Sequence, residues 1–175
     1  MLIIITKDPK IVRFYTSARS GSGAWGQIVV LDPGYDQTQA TRQLSDTLAK
    51  LPAGESLCLV GHGNDTEIGG SGKRNDPWGW HADELAGMLS LLRQKPDGVL
   101  FEACALDEDD PHKVDPVFGF AQAVWSRLNG SGQAGKMKGV TIFGYQNGVP
   151  VEHTLPRPGT AALDKNVELT GLYVS

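Results

Sequence analysis

VLFEACA, at residues 99–105, is the stretch that decides how this chain is expected to fold. It is a short apolar run that follows the turn sequence at 96–98 and leads into the acidic segment at 107–110. A run of this length between turn signals is typical of a buried strand and is too short for an ordinary helix. In an open parallel sheet, ligands bind at the carboxyl ends of the strands. The sequence therefore predicts that Cys104 lies at the ligand-binding end of a sheet.

A second apolar run of the same kind, SLCLV at 56–60, leads into a Gly-His-Gly sequence centred on His62. The sequence thus places an imidazole after one predicted strand and the Cys104 thiol at the end of another. A cysteine on a strand is more often a small buried hydrophobe than a nucleophile. A nearby histidine can supply the positive charge that a thiolate needs and can protonate a leaving amine. Spacing alone leaves both interpretations open.

Strands and helices alternate along most of the chain, which predicts an α/β fold with three α/β/α layers around a mainly parallel sheet. We expect one domain spanning residues 1–175, with a β-hairpin near the carboxyl terminus. The predicted strands are 2–6, 11–16, 27–31, 56–60, 99–105 and 140–144; the predicted helices run from a cap at Asp36 to Leu51, over 81–93 and from Val117 to Leu128; the hairpin is expected from 149–153 and 167–174.

Composition restricts the class of protein. The 175 residues are 40% hydrophobic and 21% charged, which is ordinary for one globular domain. We find neither a signal-peptide pattern nor an apolar stretch long enough to cross a membrane. Two cysteines do not make a disulfide framework, so a reducing compartment is expected. The net charge of -4 argues against a nucleic-acid groove or a basic membrane-binding face.

Four sequence blocks occur in an order that resembles a known enzyme family. They are LVGHG at 59–63, GWHADELA at 79–86, EAC at 102–104 and GFAQ at 119–122. Together they resemble the caspase-like (clan CD) cysteine peptidases, which include caspases, legumains, gingipains and clostripain. Within that clan they resemble the cysteine protease domain of the multifunctional autoprocessing RTX toxins and the large clostridial toxins. The resemblance covers roughly residues 55–145.

The resemblance implies a cysteine endopeptidase that acts on a polypeptide, with Cys104 as the nucleophile and His62 as the general acid and base. The backbone N–H groups of Gly63 and Cys104 are the implied oxyanion hole, in which each well-placed donor lowers the barrier by about 3 kcal/mol. No third catalytic residue is evident, although Asp32, Asp65 and Glu102 are candidates for orienting His62. The family also implies autoprocessing, or a role in a toxin or delivered effector.

The sequence leaves open which residue the enzyme would prefer before the scissile bond. The toxin domains cleave after leucine, which implies an apolar pocket walled by Trp80 or Tyr145; Trp78 and Trp80 are equally well explained as core residues that hold a loop. The acidic segment at 107–115 favours a basic residue before the scissile bond instead. Outside the peptidases, a catalytically silent module that binds a partner keeps the same fold. A metal site formed by Cys104, His62 and His112 is disfavoured by the ligand spacing.

The toxin domains are activated by inositol hexakisphosphate, which requires a dense cluster of basic residues. Here the candidate basic residues are few and scattered, so we expect weak or no activation by this ligand and no other cofactor or metal. By resemblance, the expected location is the cytoplasm, or the cytosol of a target cell after delivery. The basic residues are Lys73, Arg74, Lys113, Arg127, Lys136, Lys138, Arg157 and Lys165.

Overall fold

Parallel pairing of short apolar strands builds the centre of the molecule. The structure is a computed structural model that describes residues 1–69, 78–104, 117–130, 132, 134–147, 149–150 and 152–175, except for the side chains of Cys104 and Val117. The strands are β1 (Leu2–Ile4), β2 (Ile28–Val30), β3 (Leu57–His62), β4 (Glu67–Ile68), β5 (Trp80–His81), β6 (Gly98–Cys104), β7 (Thr141–Tyr145) and β8 (Leu169–Tyr173). The helices are α1 (Pro9–Tyr15), α2 (Gln37–Leu48), α3 (Ala82–Ser90), α4 (Val117–Gly130) and α5 (Thr160–Leu163).

Six strands of the described chain form one sheet in the order β2-β1-β3-β6-β7-β8. Its first five strands run parallel, whereas β8 pairs antiparallel with β7. The described side chains of β1, the apolar part of β3 and the middle of β6 are almost completely buried, as expected for parallel strands covered on both faces. The predicted α/β fold with a mainly parallel sheet is confirmed.

The two sides of β6 contact different helices. Phe101 packs edge-to-face against Phe120 of α4, with ring centroids 5.1 Å apart. The next residue, Glu102, accepts a hydrogen bond from Tyr15 of α1. Because successive strand residues point to opposite faces, α1 and α4 cover opposite sides of the sheet. This gives the predicted three layers, and the core lies between them.

Helix α1 corrects one prediction, since residues 11–16 were expected to form a strand. The Asp8 side chain accepts a hydrogen bond from the N–H of Lys10 at 2.8 Å, and Pro9 is the first helical residue. Both features favour a helix start. The β-branched and aromatic residues that suggested a strand instead form the buried side of the helix, where Ile11 and Tyr15 are buried.

The carboxyl-terminal pairing also differs from the prediction. The predicted hairpin joined 149–153 to 167–174, but β8 pairs with β7, and Thr141 lies opposite Tyr173. The described residues between 149 and 153 are not in a strand. The predicted cap of α2 is confirmed, because Asp36 and Gln39 form a capping box. In the part of the chain that is described, every helix is too short or too polar to span a bilayer.

Candidate functional site

Cys104 and His62 end neighbouring strands in the middle of the sheet. Strands β3 and β6 are parallel, and their register places the Cα atom of His62 opposite that of Cys104. Because each of these strands has a neighbour on both sides, the positions of the two backbones are fixed by the sheet. The sequence predicted both residues at the carboxyl end of the sheet, and the structure brings them together there.

His62 is held by a carboxylate that the sequence did not single out. Its Nε2 lies 2.9 Å from Oδ2 of Asp8, and both side chains are mostly buried. Burial opposes ionisation of Asp8, but the hydrogen bonds from His62 and from the N–H groups of Lys10 and Ile11 outweigh it and lower the pKa of Asp8. An ionised carboxylate can only accept, so Nε2 of His62 is the donor. The bond fixes the tautomer and the orientation of the ring.

Asp8 could have been found from the sequence by its position relative to β1. It follows that strand by four residues, and β1 is parallel to β3, so both strands end at the same side of the sheet. In the sequence, Asp8-Pro9 after the first predicted strand is typical of a turn, and the prediction took it for no more than that. The signal that was missed is that an N-cap carboxylate at the carboxyl end of a central strand faces the same crevice as the strand-end residues.

The three carboxylates proposed from the sequence to orient His62 contact other residues instead. Oδ1 of Asp32 accepts a hydrogen bond from the N–H of Gly34 at 2.9 Å, in the turn after β2. Asp65 packs against Gly119 of α4, where an added Cβ would lie 3.1 Å from that of Asp65. Glu102 accepts from Tyr15. In the described contacts, the carboxylate beside His62 is that of Asp8, which was not among the three candidates.

Packing explains why a glycine, Gly63, follows His62. A Cβ on Gly63 would approach both Cβ of Ala103 and the carbonyl oxygen of Glu67 to 3.0 Å. The N–H of Gly69 donates to the His62 carbonyl at 2.7 Å, and the N–H of Asn64 donates to the Glu67 carbonyl at 3.0 Å. These two bonds flank Gly63, so its own N–H points away from them, towards the β6 side of β3. Its role in an oxyanion hole stays a prediction.

Trp80 and Tyr145, the predicted pocket residues, are both fully buried. Trp80 donates a hydrogen bond from Nε1 to Oγ1 of Thr41 at 3.0 Å, and its ring lies directly against Gly69. Trp78 packs beside it and donates to the carbonyl of Tyr35. This arrangement favours the alternative in which the two tryptophans hold a loop onto the core. A pocket role for Trp80 or Tyr145 is not supported by their burial.

Several predicted features lie outside the described residues. They include His112, the acidic segment at 107–115, Lys73, Arg74 and Lys113. Within the described ranges, no group of three or more His, Cys, Asp or Glu side chains is arranged to hold a metal ion. The thiol position of Cys104 is also outside the description, so the site is defined by the Cys104 backbone, His62 and Asp8.

Comparison of this chain with known proteins found no similar protein. No protein-family model matches this chain. Searches of curated proteins and of solved structures also found no match. The resemblance to the caspase-like peptidases therefore stays a prediction, and function is argued from the site.

Proposed function

We propose that this protein is a cysteine endopeptidase in which Cys104 is the nucleophile and His62 the general acid and base. The observation that carries the proposal is the register of β3 and β6, which sets these two residues opposite each other at the carboxyl end of the sheet. The hydrogen bond from His62 to Asp8 adds support, because a histidine held by a carboxylate is the usual partner of an activated nucleophile.

The reaction proceeds through a thioester. The Cys104 thiolate attacks the carbonyl carbon of the peptide bond, and the carbonyl electron pair moves onto oxygen. The C–N bond then breaks as the imidazolium of His62 gives its proton to the leaving amine. Water, losing its proton to His62, attacks the thioester and releases the acid and the thiol. The oxyanion is stabilised by backbone N–H groups at Gly63 and Cys104, as the resemblance implies.

Asp8 is a positioning residue in this mechanism. Since Nε2 of His62 donates to Asp8, the proton transfers of the reaction run through Nδ1. The negative charge of Asp8 also stabilises the imidazolium that forms with the thiolate. The substrate is a polypeptide, and the resemblance favours an apolar, leucine-like residue before the scissile bond, with a basic residue as the alternative.

The test is covalent labelling by peptidyl acyloxymethyl ketones, one with leucine and one with arginine at the position before the ketone. Intact mass and peptide mapping are compared for wild type, Cys104→Ala and His62→Ala. We expect one adduct on Cys104, lost in Cys104→Ala and strongly slowed in His62→Ala. The faster probe reports the preferred residue.

Cys58 is an internal control, because it is the other of the two cysteines and is fully buried. Burial raises the pKa of its thiol, and the Glu102 charge raises it further. Equal labelling of Cys58 and Cys104 would indicate unfolding. If neither probe modifies folded wild-type protein, with or without inositol hexakisphosphate, the peptidase proposal fails and a silent binding module becomes the better explanation.

A further inference from the structure

A carboxylate is buried on the same strand as Cys104. Glu102 is 1% exposed, and its Oε1 accepts a hydrogen bond from the hydroxyl of Tyr15 at 3.0 Å. Its Oε2 is buried and has no hydrogen-bond partner. A buried ionised carboxylate is costly unless a positive group accompanies it. The proposed reaction assigns Glu102 no role.

The imidazole of His153 lies beside Glu102 and is positively charged when it is protonated. Its Nδ1 lies 3.3 Å from Oε1 of Glu102, while its Nε2 lies 3.8 Å from the exposed carboxylate of Glu168. The hydrogen bond to Glu102 is the main cause that raises the pKa of His153. One ring nitrogen thus faces the buried charge and the other faces the surface.

Other titratable groups face this pair from the surrounding elements. The Tyr145 ring packs edge-on against His153, and its hydroxyl lies 3.4 Å from Nδ1 of that ring. Burial together with Glu102 raises the pKa of the Tyr145 hydroxyl. The remaining groups are Tyr15 from α1, Cys58 from β3 and Glu168 just before β8. An imidazole is the side chain that ordinarily changes charge near neutral pH, so His153 is the group of this pair that we expect to titrate there.

The titration changes the net charge of the pair. When His153 is protonated, its positive charge balances Glu102. When pH rises, Nε2 releases one proton to solvent, Nδ1–H continues to donate to Glu102, and the pair becomes negative. Glu102 and Cys104 are two positions apart on the strand, so their Cα atoms are about 7 Å apart. A negative charge near a thiol disfavours the thiolate and so raises the pKa of the thiol.

We propose that Glu102 and His153 form a proton-linked pair that tunes the reactivity of Cys104 and ties the tail segment bearing His153 to β6. The inference rests on the proposed function only in treating the Cys104 thiol as the nucleophile. Glu102 and His153 are positioning residues, since they act on the thiol through charge and not through contact with substrate.

The first experiment follows the four histidines by NMR against pH in wild type, Glu102→Gln and Glu168→Gln, with His153 identified by its loss in His153→Gln. We expect Glu102→Gln to lower the pKa of His153 clearly. Glu168→Gln is the matched control, because its carboxylate is exposed and farther from the ring, and it should change that pKa less. An unchanged pKa in folded Glu102→Gln would overturn the proposal.

The second experiment measures the rate of Cys104 alkylation by iodoacetamide against pH. At pH 6, His153→Gln leaves Glu102 unbalanced, so we expect alkylation to slow by about threefold to tenfold. The double variant Glu102→Gln/His153→Gln removes both charges and should recover most of the wild-type rate. A merely structural role predicts the opposite, because the double variant would then be at least as impaired as the single one.

The two proposals fail in different ways. If the ketone probes do not label Cys104 but the alkylation profile follows the charge of the pair, the peptidase proposal fails and the charge effect stands. If the probes label Cys104 and the profile of His153→Gln equals that of wild type, the charge effect fails and the peptidase proposal stands.

Discussion

At the residue scale, Asp8 makes two interactions that can be separated. It caps α1 through the N–H of Lys10, and it accepts from His62. Asparagine is also a good N-cap, so Asp8→Asn should keep most of the stability, whereas Asp8→Ala should lose about 1 kcal/mol. Both variants remove the charge beside His62 and should slow ketone labelling of Cys104 by about tenfold or more. Urea unfolding and labelling rates measure the two effects.

Asp36 provides the matched control for Asp8. It caps α2 in the same way, through the N–H of Gln39 at 2.8 Å, and belongs to a different helix. Asp36→Ala should therefore lower stability by a similar amount and leave the labelling rate unchanged. Equal loss of labelling in Asp36→Ala and Asp8→Ala would mean that Asp8 acts through stability alone.

The residues at the site were predictable to different degrees. The positions of His62 and Cys104 at neighbouring strand ends were predictable because the apolar runs that lead to them are readable in sequence, while their catalytic roles stay predictions. Asp8 was missed because its contact with His62 joins residues from different parts of the chain. Glu102 was considered only as a partner of His62, and its pairing with His153 depends on how the tail crosses the sheet, which no local pattern specifies.

At the element scale, Gly69 holds the end of β3 in place. Its φ is +121°, and an added Cβ would lie 2.6 Å from the Trp80 ring. Gly54 also has a positive φ, of +73°, but has open space around it. Gly69→Ala should therefore destabilise the protein by about 1–3 kcal/mol more than Gly54→Ala. Urea unfolding of the two variants measures the difference, and equal losses would show that backbone strain alone matters.

Elements with a strong local pattern were predicted well. The apolar runs gave β1, β3 and β6, and the Asp36 cap gave the start of α2. Helix α1 was missed because Asp8-Pro9 was taken for a turn, whereas Asp8 caps the helix and Pro9 is its first residue. The partner of β8 was missed because pairing between distant strands is decided by packing of the whole sheet.

At the scale of the whole molecule, two groups with opposite pKa shifts shape stability against pH. The pKa of His153 is raised in the folded state, so its contribution is present below its ordinary value of 6.5 and is lost as pH rises through the folded value. The pKa of Asp8 is lowered, so its contribution is present above 3.8 and is lost as pH falls through the folded value.

The free energy of unfolding of His153→Gln should therefore approach that of wild type as pH rises from 6 to 9. For Asp8→Asn, the difference from wild type should shrink as pH falls below 4. Urea unfolding across this range measures both differences. A wild-type advantage over His153→Gln that grows with pH would contradict the assignment of His153.

Helix α1 contacts both of the strands that end at the candidate site. Asp8 at its start bonds to His62 of β3, and Tyr15 at its end bonds to Glu102 of β6. A helix of seven residues is only about 10 Å long, so one short element carries both contacts. The contact of Asp8 with His62 and the contact of Tyr15 with Glu102 therefore change together when the helix moves. Any ligand or neighbouring molecule that tilted this helix would act at once on the His62 imidazole and on the Glu102 carboxylate.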